Sequence, residues 1–233
     1  MTFTIQIITL LPQFWEVLRT PGYGLVGRAF EKGMAELVIH DLREFGHGVH
    51  RSVDDTPFGG GPGMLLRVGP VHQAIQKARA RATNPVYLLS PAGTPFKQPV
   101  ASELAETNGF TLVCGRYEGF DERIRYFVDG AICLMDAVLS GGDPAALCVV
   151  DAAMRLRPGV LGNECSITDE SFTGTGLEHP QFTRPVSYEG YSVPEVLRSG
   201  DHGAIMKWKV QAAQGRTEKY RPSLLEPTNE DTD

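Results

Sequence analysis

Several features that mark common classes of protein are missing from this sequence of 233 residues. Its four cysteines show no C-x-x-C spacing, which argues against a structural zinc site and predicts reduced thiols. Apolar runs stay shorter than the ~20 residues that a helix needs to cross a bilayer. The first ten residues lack the basic leader and the cleavage site of a signal peptide. We therefore expect a globular, cytoplasmic protein with no membrane partner.

Motifs of other enzyme classes are also missing. The six histidines form no H-E-x-x-H motif, and we predict no metal site from the sequence. The hydrolase motif G-x-S-x-G is absent, and the glycines at 59–63 lack the Lys-Ser/Thr ending of a P-loop. A G-x-G-x-x-G pattern at 22–27 follows a helical segment and not a strand, which argues against a dinucleotide site. Covalent hydrolysis and phosphoryl transfer are therefore poor candidates for the function.

Charge is distributed unevenly along the chain. The formal net charge of -6 argues against a uniformly positive surface for nucleic acid. However, the tail 226–233 carries four acids and no base, a composition typical of disorder. Residues 184–225 carry seven basic side chains against four acidic ones. This basic cluster is either a solvated face or a contact surface for RNA, and the sequence alone leaves both interpretations open.

Alternating apolar and amphipathic segments predict an α/β fold. Strand-like apolar runs occur at 3–8, 36–39, 86–89, 111–113 and 131–134, and helical patterns at 70–81, 99–106 and 144–156. This order predicts a mainly parallel sheet covered by helices, in a domain that spans residues 1–158. The polar segment 159–185, rich in glycine and threonine, predicts a linker. Helical patterns at 193–198 and 204–214 predict a small C-terminal helical domain over residues 186–225.

Three glycine-bearing loops lie beside these predicted elements, at 54–64, 114–123 and 139–143. Glycine lets the backbone approach a ligand closely, and loops that follow strands often carry binding groups. A plain structural turn is the alternative interpretation of the loop 54–64. Taken together, the three loops predict a ligand that is held by backbone groups.

The order and spacing of these loops resemble those of the bacterial tRNA (guanine-N1)-methyltransferases. The resemblance covers essentially the whole chain and includes Leu89-Ser-Pro-Ala-Gly93, Arg157-Pro-Gly-Val-Leu-Gly162 and Phe182-Thr-Arg-Pro185. It implies a homodimeric SPOUT-type enzyme whose chain forms a deep trefoil knot over about 88–139. It also implies S-adenosylmethionine as methyl donor and tRNA as substrate, methylated at guanine 37 next to the anticodon. The residues do not themselves indicate a knot, because threaded connections are rare, and they do not specify a divalent ion.

The resemblance implies that the methyl donor binds in loops at strand ends. The donor-binding residues that it implies are Leu89, Ser90, Pro91, Gly115, Tyr117, Glu118, Gly119, Leu134, Met135, Asp136, Ala137, Val138, Leu139, Gly141 and Gly142. Two positions depart from the family pattern, since Met135 replaces a glycine and Ala137 replaces a tyrosine. Backbone contacts to adenine survive these changes provided that φ stays negative at Met135.

Methylation of guanine N1 requires a proton acceptor and a cation. N1 carries a proton at neutral pH, so a carboxylate must accept it, and charge that builds on O6 favours a fixed cation. Arg155 is the candidate cation, because arginine matches the O6 and N7 acceptors of guanine. Its alternative role is a cation at the C-terminus of a helix. Glu170 is our preferred base and Asp169 its rival, while the alternative for both is a helix N-cap before Ser171.

The remaining implied residues contact RNA. They are Asp55, Gly60, Arg116, Arg184, Lys207, Lys209 and Arg216. Two other functions stay open at this point. A ribose 2′-O-methyltransferase of the same fold would not need the acid in the linker, and a catalytically silent RNA-binding protein would need neither that acid nor the donor.

Overall fold

The structure is a computed structural model, which describes residues 2–20, 24–161, 170–174 and 176–226. The chain divides into two compact units, residues 1–162 and 163–233. Asp169, which was predicted as a candidate base, lies outside the described residues, as do 162–169 and 175 of the predicted linker and 227–233 of the acidic tail.

Five parallel strands form the sheet of the N-terminal unit. They are β1 (Phe3–Thr9), β2 (Ala35–Asp41), β5 (Val86–Pro95), β6 (Gly109–Val113) and β7 (Gly130–Cys133), in the spatial order β2-β1-β6-β5-β7. Every pairing in this sheet is parallel. Two short strands, β3 (Asp54–Asp55) and β4 (Leu65–Leu66), pair antiparallel at either end of the first glycine-bearing loop. All five predicted strands form, which confirms the α/β fold with a mainly parallel sheet.

Within the described ranges, four α-helices accompany this sheet: α1 (Gly24–Glu31), α2 (Val68–Arg81), α3 (Gln98–Glu106) and α4 (Gly142–Arg155). The predicted helices at 70–81, 99–106 and 144–156 correspond to α2, α3 and α4, with ends that differ by one or two residues. The segment Pro12–Arg19 is a 3₁₀-helix, as are Leu42–Phe45 and Glu122–Phe127. Helix α1 was not predicted, because its two glycines lower helix propensity and weaken its pattern.

The core has two layers because side chains of a strand alternate between the faces of the sheet. Ile5 and Ile7 of β1 pack in one buried cluster with Trp15 and apolar side chains of α1, α3 and α4. Ile8 of the same strand packs in a second cluster, which contains side chains of α2. Strand β1 is therefore buried on both faces, which explains its nearly continuous apolar sequence.

The C-terminal unit is built around α5 (His202–Tyr220), preceded by the hairpin β8 (Ser187–Tyr188) and β9 (Tyr191–Ser192) and by the 3₁₀-helix Glu195–Arg198. The helix α5 is longer than the predicted 204–214, because the Asp201 carboxylate accepts the N–H groups of Gly203 and Ala204 and caps an earlier turn. Leu177 donates its N–H to Thr217 Oγ1 at 2.9 Å. Part of the predicted linker therefore packs on α5.

None of the helices in the described ranges combines the length and apolar character needed to span a membrane. Cys114, Cys133 and Cys148 are free thiols, as predicted for them. The fourth cysteine, Cys165, falls in a gap between the described ranges.

Replacing Gly215 by alanine is expected to stabilise the C-terminal unit. Gly215 lies in the interior of α5, and a methyl group there would meet open space. Alanine has the higher helix propensity, so we expect the free energy of unfolding to rise by about 0.5–1 kcal/mol. Urea denaturation followed by circular dichroism measures this change. An unchanged or lower midpoint would contradict the prediction.

Candidate active site

One cavity of about 410 Å³ lies at the carboxyl ends of β5, β6 and β7. The carboxyl ends of parallel strands meet at the same edge of a sheet, and ligands of open α/β sheets bind there. Residues 88–92, 115–120, 132–135 and 137–139 line the cavity, as does the first turn of α4. Its size falls within the ~300–1,000 Å³ that is typical of sites for small molecules and cofactors.

The structure brings the sequence-predicted donor residues together around this cavity. Those that line it are Leu89, Ser90, Pro91, Gly115, Tyr117, Glu118, Gly119, Leu134, Met135, Ala137, Val138, Leu139, Gly141 and Gly142. Asp136 is the exception and does not line the cavity. The chain turns sharply at this point, where the Ala137 N–H donates to the Met135 carbonyl at 2.9 Å, and Asp136 is exposed at the apex.

Sequence reasoning missed several lining residues. Ile124 and Arg125 come from the 3₁₀-helix Glu122–Phe127, and Ala145 comes from the first turn of α4. The signal for Ala145 was present, because a residue three positions after a helix start lies near the same face as that start. No comparable signal exists for Ile124, since only the tertiary fold brings that 3₁₀-helix to the cavity.

The loop after β5 is shaped by an irregularity in strand pairing. Leu89 of β5 pairs with Ile132 of β7, and so does Thr94, so the residues between them bulge away from the ladder. This bulge contains Ser90, Pro91 and Ala92, which line the cavity. Bulges of this kind often re-aim side chains next to active sites.

The loop after β6 is held by backbone hydrogen bonds on two sides. On one side Gly142 N–H donates to the Gly115 carbonyl at 2.7 Å, which ties the loop to the start of α4. On the other side Glu118 N–H donates to the Met64 carbonyl at 3.0 Å, and Leu66 N–H donates to the Gly119 carbonyl at 2.9 Å. The end of the first glycine-bearing loop therefore lies beside a wall of the cavity, but residues 54–64 do not line it, unlike the other two glycine-bearing loops.

The loop after β7 supplies an apolar part of the wall. Leu134, Val138 and Leu139 line the cavity, as the resemblance implied. Met135 does not belong to the described residues with positive φ, so its side chain is compatible with backbone contacts from this loop. The departure of Met135 from the family pattern therefore introduces no backbone strain here.

Charged side chains of both signs line another part of the cavity. Arg116, Glu118, Glu122 and Arg125 all contribute to the lining. Arg125 Nε lies 2.5 Å from Glu122 Oε1, so these two charges form an ion pair at the wall. Nearby, hydrogen bonds from the Arg123 side chain hold the pKa of Asp121 below its usual value. The cavity thus offers an apolar region together with groups for both a cation and an anion.

The three predicted catalytic residues are not all described. Arg155 is the last residue of α4, which fits the alternative of a cation at a helix C-terminus and leaves its catalytic role a prediction. Glu170 begins a turn in which its carbonyl accepts the Thr173 N–H at 3.3 Å. Residues 170–174 form that turn and not the start of a helix, so the N-cap alternative is wrong for Glu170. Asp169 cannot be compared, because it lies outside the described ranges.

The predicted RNA contacts occur in both units. In the N-terminal unit Asp55 forms an ion pair with Arg67, Gly60 has a positive φ in the first glycine-bearing loop, and Arg116 lines the cavity. In the C-terminal unit Arg184 and Lys207 are exposed and Lys209 is half-buried. Arg216 Nη1 donates to the carbonyls of residues 178 and 179 at 3.4 Å, so it also stabilises the packing on α5. Their contact with RNA stays a prediction.

Comparison with known proteins gives the family of the chain. The model of the family described as tRNA (Guanine-1)-methyltransferase TrmD matches residues 3–227. The chain belongs to this family. The region that matches the tRNA (guanine-1)-methyltransferases includes the cavity loops, Arg155, Glu170 and α5, and therefore every candidate site residue.

Individual relatives carry the same name. The tRNA (guanine-N(1)-)-methyltransferase of Halorhodospira halophila is 47% identical over 224 residues, which cover 95% of this chain and 84% of the relative. That of an Anaeromyxobacter species is 48% identical over 228 residues, with coverages of 95% and 90%. That of Roseobacter denitrificans is 47% identical over 223 residues, with coverages of 94% and 91%.

Proposed function

We propose that this chain transfers the methyl group of S-adenosylmethionine to N1 of guanine 37 in tRNA, next to the anticodon. The observation that carries the proposal is the convergence of the loops after β5, β6 and β7 on one cavity in a chain of the tRNA (guanine-1)-methyltransferase family. The relatives named above carry that enzyme name and give no support to ribose methylation.

The cavity is chemically suited to the methyl donor. S-adenosylmethionine combines an apolar, flat adenine with an amino-acid end that carries both an ammonium and a carboxylate. Leu134, Val138 and Leu139 offer an apolar wall, while Glu118, Glu122 and Arg125 offer charges of both signs. Gly115, Gly141 and Gly142 carry no side chain, so their backbone forms part of the wall. We therefore assign this cavity to the donor.

The reaction forms one N–C bond and breaks one S–C bond. Guanine N1 attacks the methyl carbon, the electron pair of the breaking bond stays on sulfur, and the proton of N1 passes to a carboxylate. Glu170 takes that proton in our proposal, with Asp169 as the rival, and Arg155 stabilises the charge on O6. A divalent ion is not assigned, and the described residues contain no cluster of three side chains suited to a metal.

The proposal includes the assembly and organisation of the chain. We propose a homodimer, which is supported by apolar side chains exposed near the cavity, namely Tyr117, Tyr126, Met135 and Val138. We propose a trefoil knot over about 88–139, supported by the family and by the crossing order β6-β5-β7 in the sheet. In this proposal residues 1–158 bind the donor, residues 159–185 link the two domains, and the helical domain 186–225 binds tRNA. Such an enzyme acts on cytoplasmic tRNA.

The activity is tested with unmodified tRNA and methyl-labelled S-adenosylmethionine, followed by digestion to nucleosides. We expect label in 1-methylguanosine, and none when guanine 37 is replaced by adenine. Label in 2′-O-methylguanosine would replace the proposal by ribose methylation. Binding of tRNA without any transfer would indicate a silent RNA-binding protein.

Replacing Gly141 by alanine is expected to weaken tRNA binding through Arg116. A methyl group at Gly141 would lie 2.6 Å from Arg116 Cδ and Nη1, so the arginine must move. Loss of one charge-assisted contact to a phosphate or base lowers affinity by about tenfold. Filter binding of tRNA measures the effect. The same change in an Arg116→Ala background should have little further effect, and equal losses in both backgrounds would contradict the assignment.

A further inference from the structure

A buried carboxylate stands at the start of α4. Asp143 is the second residue of this helix and is 0% exposed. Its Oδ1 accepts hydrogen bonds from Thr9 Oγ1 at 2.5 Å and from Trp15 Nε1 at 2.9 Å. Both donors are themselves fully buried. A carboxylate near a helix N-terminus is favoured by the helix dipole, but burial of its charge is costly.

The two donors come from distant parts of the sequence. Thr9 ends β1 and precedes Asp143 by 134 positions, while Trp15 lies in the 3₁₀-helix Pro12–Arg19 and precedes it by 128 positions. The carboxylate therefore ties the first turn of α4 to the end of a central strand and to the 3₁₀-helix that follows that strand. Hydrogen bonds are directional, so two of them fix the orientation of this turn and not only its distance.

Asp143 lies next to the cavity without lining it. Gly141 and Gly142 before it and Ala145 after it all line the cavity. Cys114, the residue before Gly115, lies near the Asp143 carboxylate. Burial raises the pKa of the Cys114 thiol, and the carboxylate raises it further. The Asp143 side chain therefore lies close to two backbone segments, 115 and 141–142. These segments are joined by the hydrogen bond from the Gly142 N–H to the Gly115 carbonyl.

A role in stability alone explains this arrangement poorly. Asp143 Oδ2 is buried and has no hydrogen-bond partner among the described residues. A buried polar atom without a partner costs free energy. Buried polar groups can instead specify one geometry among several compact alternatives. The geometry specified here is that of the cavity wall.

We propose that Asp143, held by Thr9 and Trp15, is a positioning residue for the methyl donor. It holds the first turn of α4 against the end of β6, so that the backbone of 141–142 and of Gly115 meets the donor in one arrangement. Asp143 does not touch the reacting atoms and takes no part in proton transfer. The inference rests on the proposed function, because it assigns the cavity to S-adenosylmethionine.

The test compares two identical substitutions in the same sheet. Thr9→Val removes the hydroxyl that donates to Asp143 and that also accepts the Leu11 N–H at 2.8 Å, and it nearly preserves the shape of the side chain. Thr111→Val is the matched control: Thr111 is also fully buried and accepts a hydrogen bond from Gln6 Nε2 at 3.4 Å, but it does not line the cavity. Thr9→Ser keeps the hydroxyl donor and serves as the conservative rescue.

We expect Thr9→Val to raise both the calorimetric Kd and the KM for S-adenosylmethionine by about 5- to 30-fold, the effect of one or two kcal/mol. The kcat at saturating donor should change by less than about twofold, because the interaction lost is equal in ground state and transition state. Thr9→Ser should stay close to the wild type, and Thr111→Val should leave donor binding unchanged. Should Thr9→Val fail to fold, Trp15→Phe removes the other donor and carries the same expectation.

Three outcomes would overturn the inference. They are an unchanged Kd in Thr9→Val, an equal rise in Thr111→Val, and a fall in kcat at unchanged Kd. Failure of the wild-type chain to bind S-adenosylmethionine is a separate outcome. It would overturn the proposed function and the inference with it, whereas normal wild-type binding with a silent Thr9→Val would overturn only the inference.

Discussion

Glu170→Gln is expected to lower kcat by about 10²- to 10⁴-fold while affinity for S-adenosylmethionine stays nearly unchanged. The amide keeps the shape of the side chain and removes its basicity, so the proton of guanine N1 has no acceptor. Single-turnover rates with saturating tRNA and donor measure the chemical step directly. The effect should shrink as pH rises, because deprotonation of N1 by solvent then replaces part of the missing function.

Two further substitutions make this result decisive. Glu218→Gln is the matched control, since Glu218 is an exposed acid on α5 that accepts a hydrogen bond from Gln214. We expect it to keep the wild-type rate. Asp169→Asn tests the rival base. A large fall in the single-turnover rate of Asp169→Asn alone would make Asp169 the base. Near-native rates in both Glu170→Gln and Asp169→Asn would show that the proposed mechanism is wrong.

Gly142→Ala is expected to lower kcat/KM by about a hundredfold and to weaken donor binding. A methyl group at this position would lie 2.7 Å from Gly115 N and 2.9 Å from Cys114 Cα, both of them backbone atoms. Backbone cannot rotate aside as a side chain can, so the start of α4 must move away from the end of β6. A displacement of about 1 Å in a site costs about a hundredfold in rate. Calorimetry with S-adenosylmethionine and steady-state kinetics measure the two effects.

Gly69→Ala provides the comparison for this loss. Gly69 lies in the first turn of α2, and a methyl group there would make an ordinary contact, 3.5 Å from His47 Nε2. We expect that variant to bind the donor with wild-type affinity. Comparable losses in the two glycine variants would contradict the view that the contact between α4 and β6 builds the donor site, as would wild-type kinetics in Gly142→Ala.

Secondary structure was largely readable from the sequence because burial leaves a local pattern. Strand β1 is buried on both faces, so its residues form the apolar run that predicted it. The helices α2 and α4 carry prolines in their first turns, and their predicted starts at 70 and 144 fall two residues inside the observed helices. Helix α1 was not predicted because Gly24 and Gly27 weaken the helical pattern of its sequence. The predicted helix ends at 214, six residues before the end of α5, because the residues there are mostly exposed and carry little apolar periodicity.

The sequence by itself determined the α/β class, the parallel strands and most of the cavity wall, because the loops that build the wall directly follow strands whose carboxyl ends share one edge of the sheet. Only the tertiary structure decided that Asp136 stands outside the wall and that Ile124 belongs to it. It also decided the partners of Asp143, since Thr9 lies 134 positions away. Hydrogen bonds across that distance depend on how the whole sheet and its helices pack, and packing of this kind leaves no periodic signal in the chain.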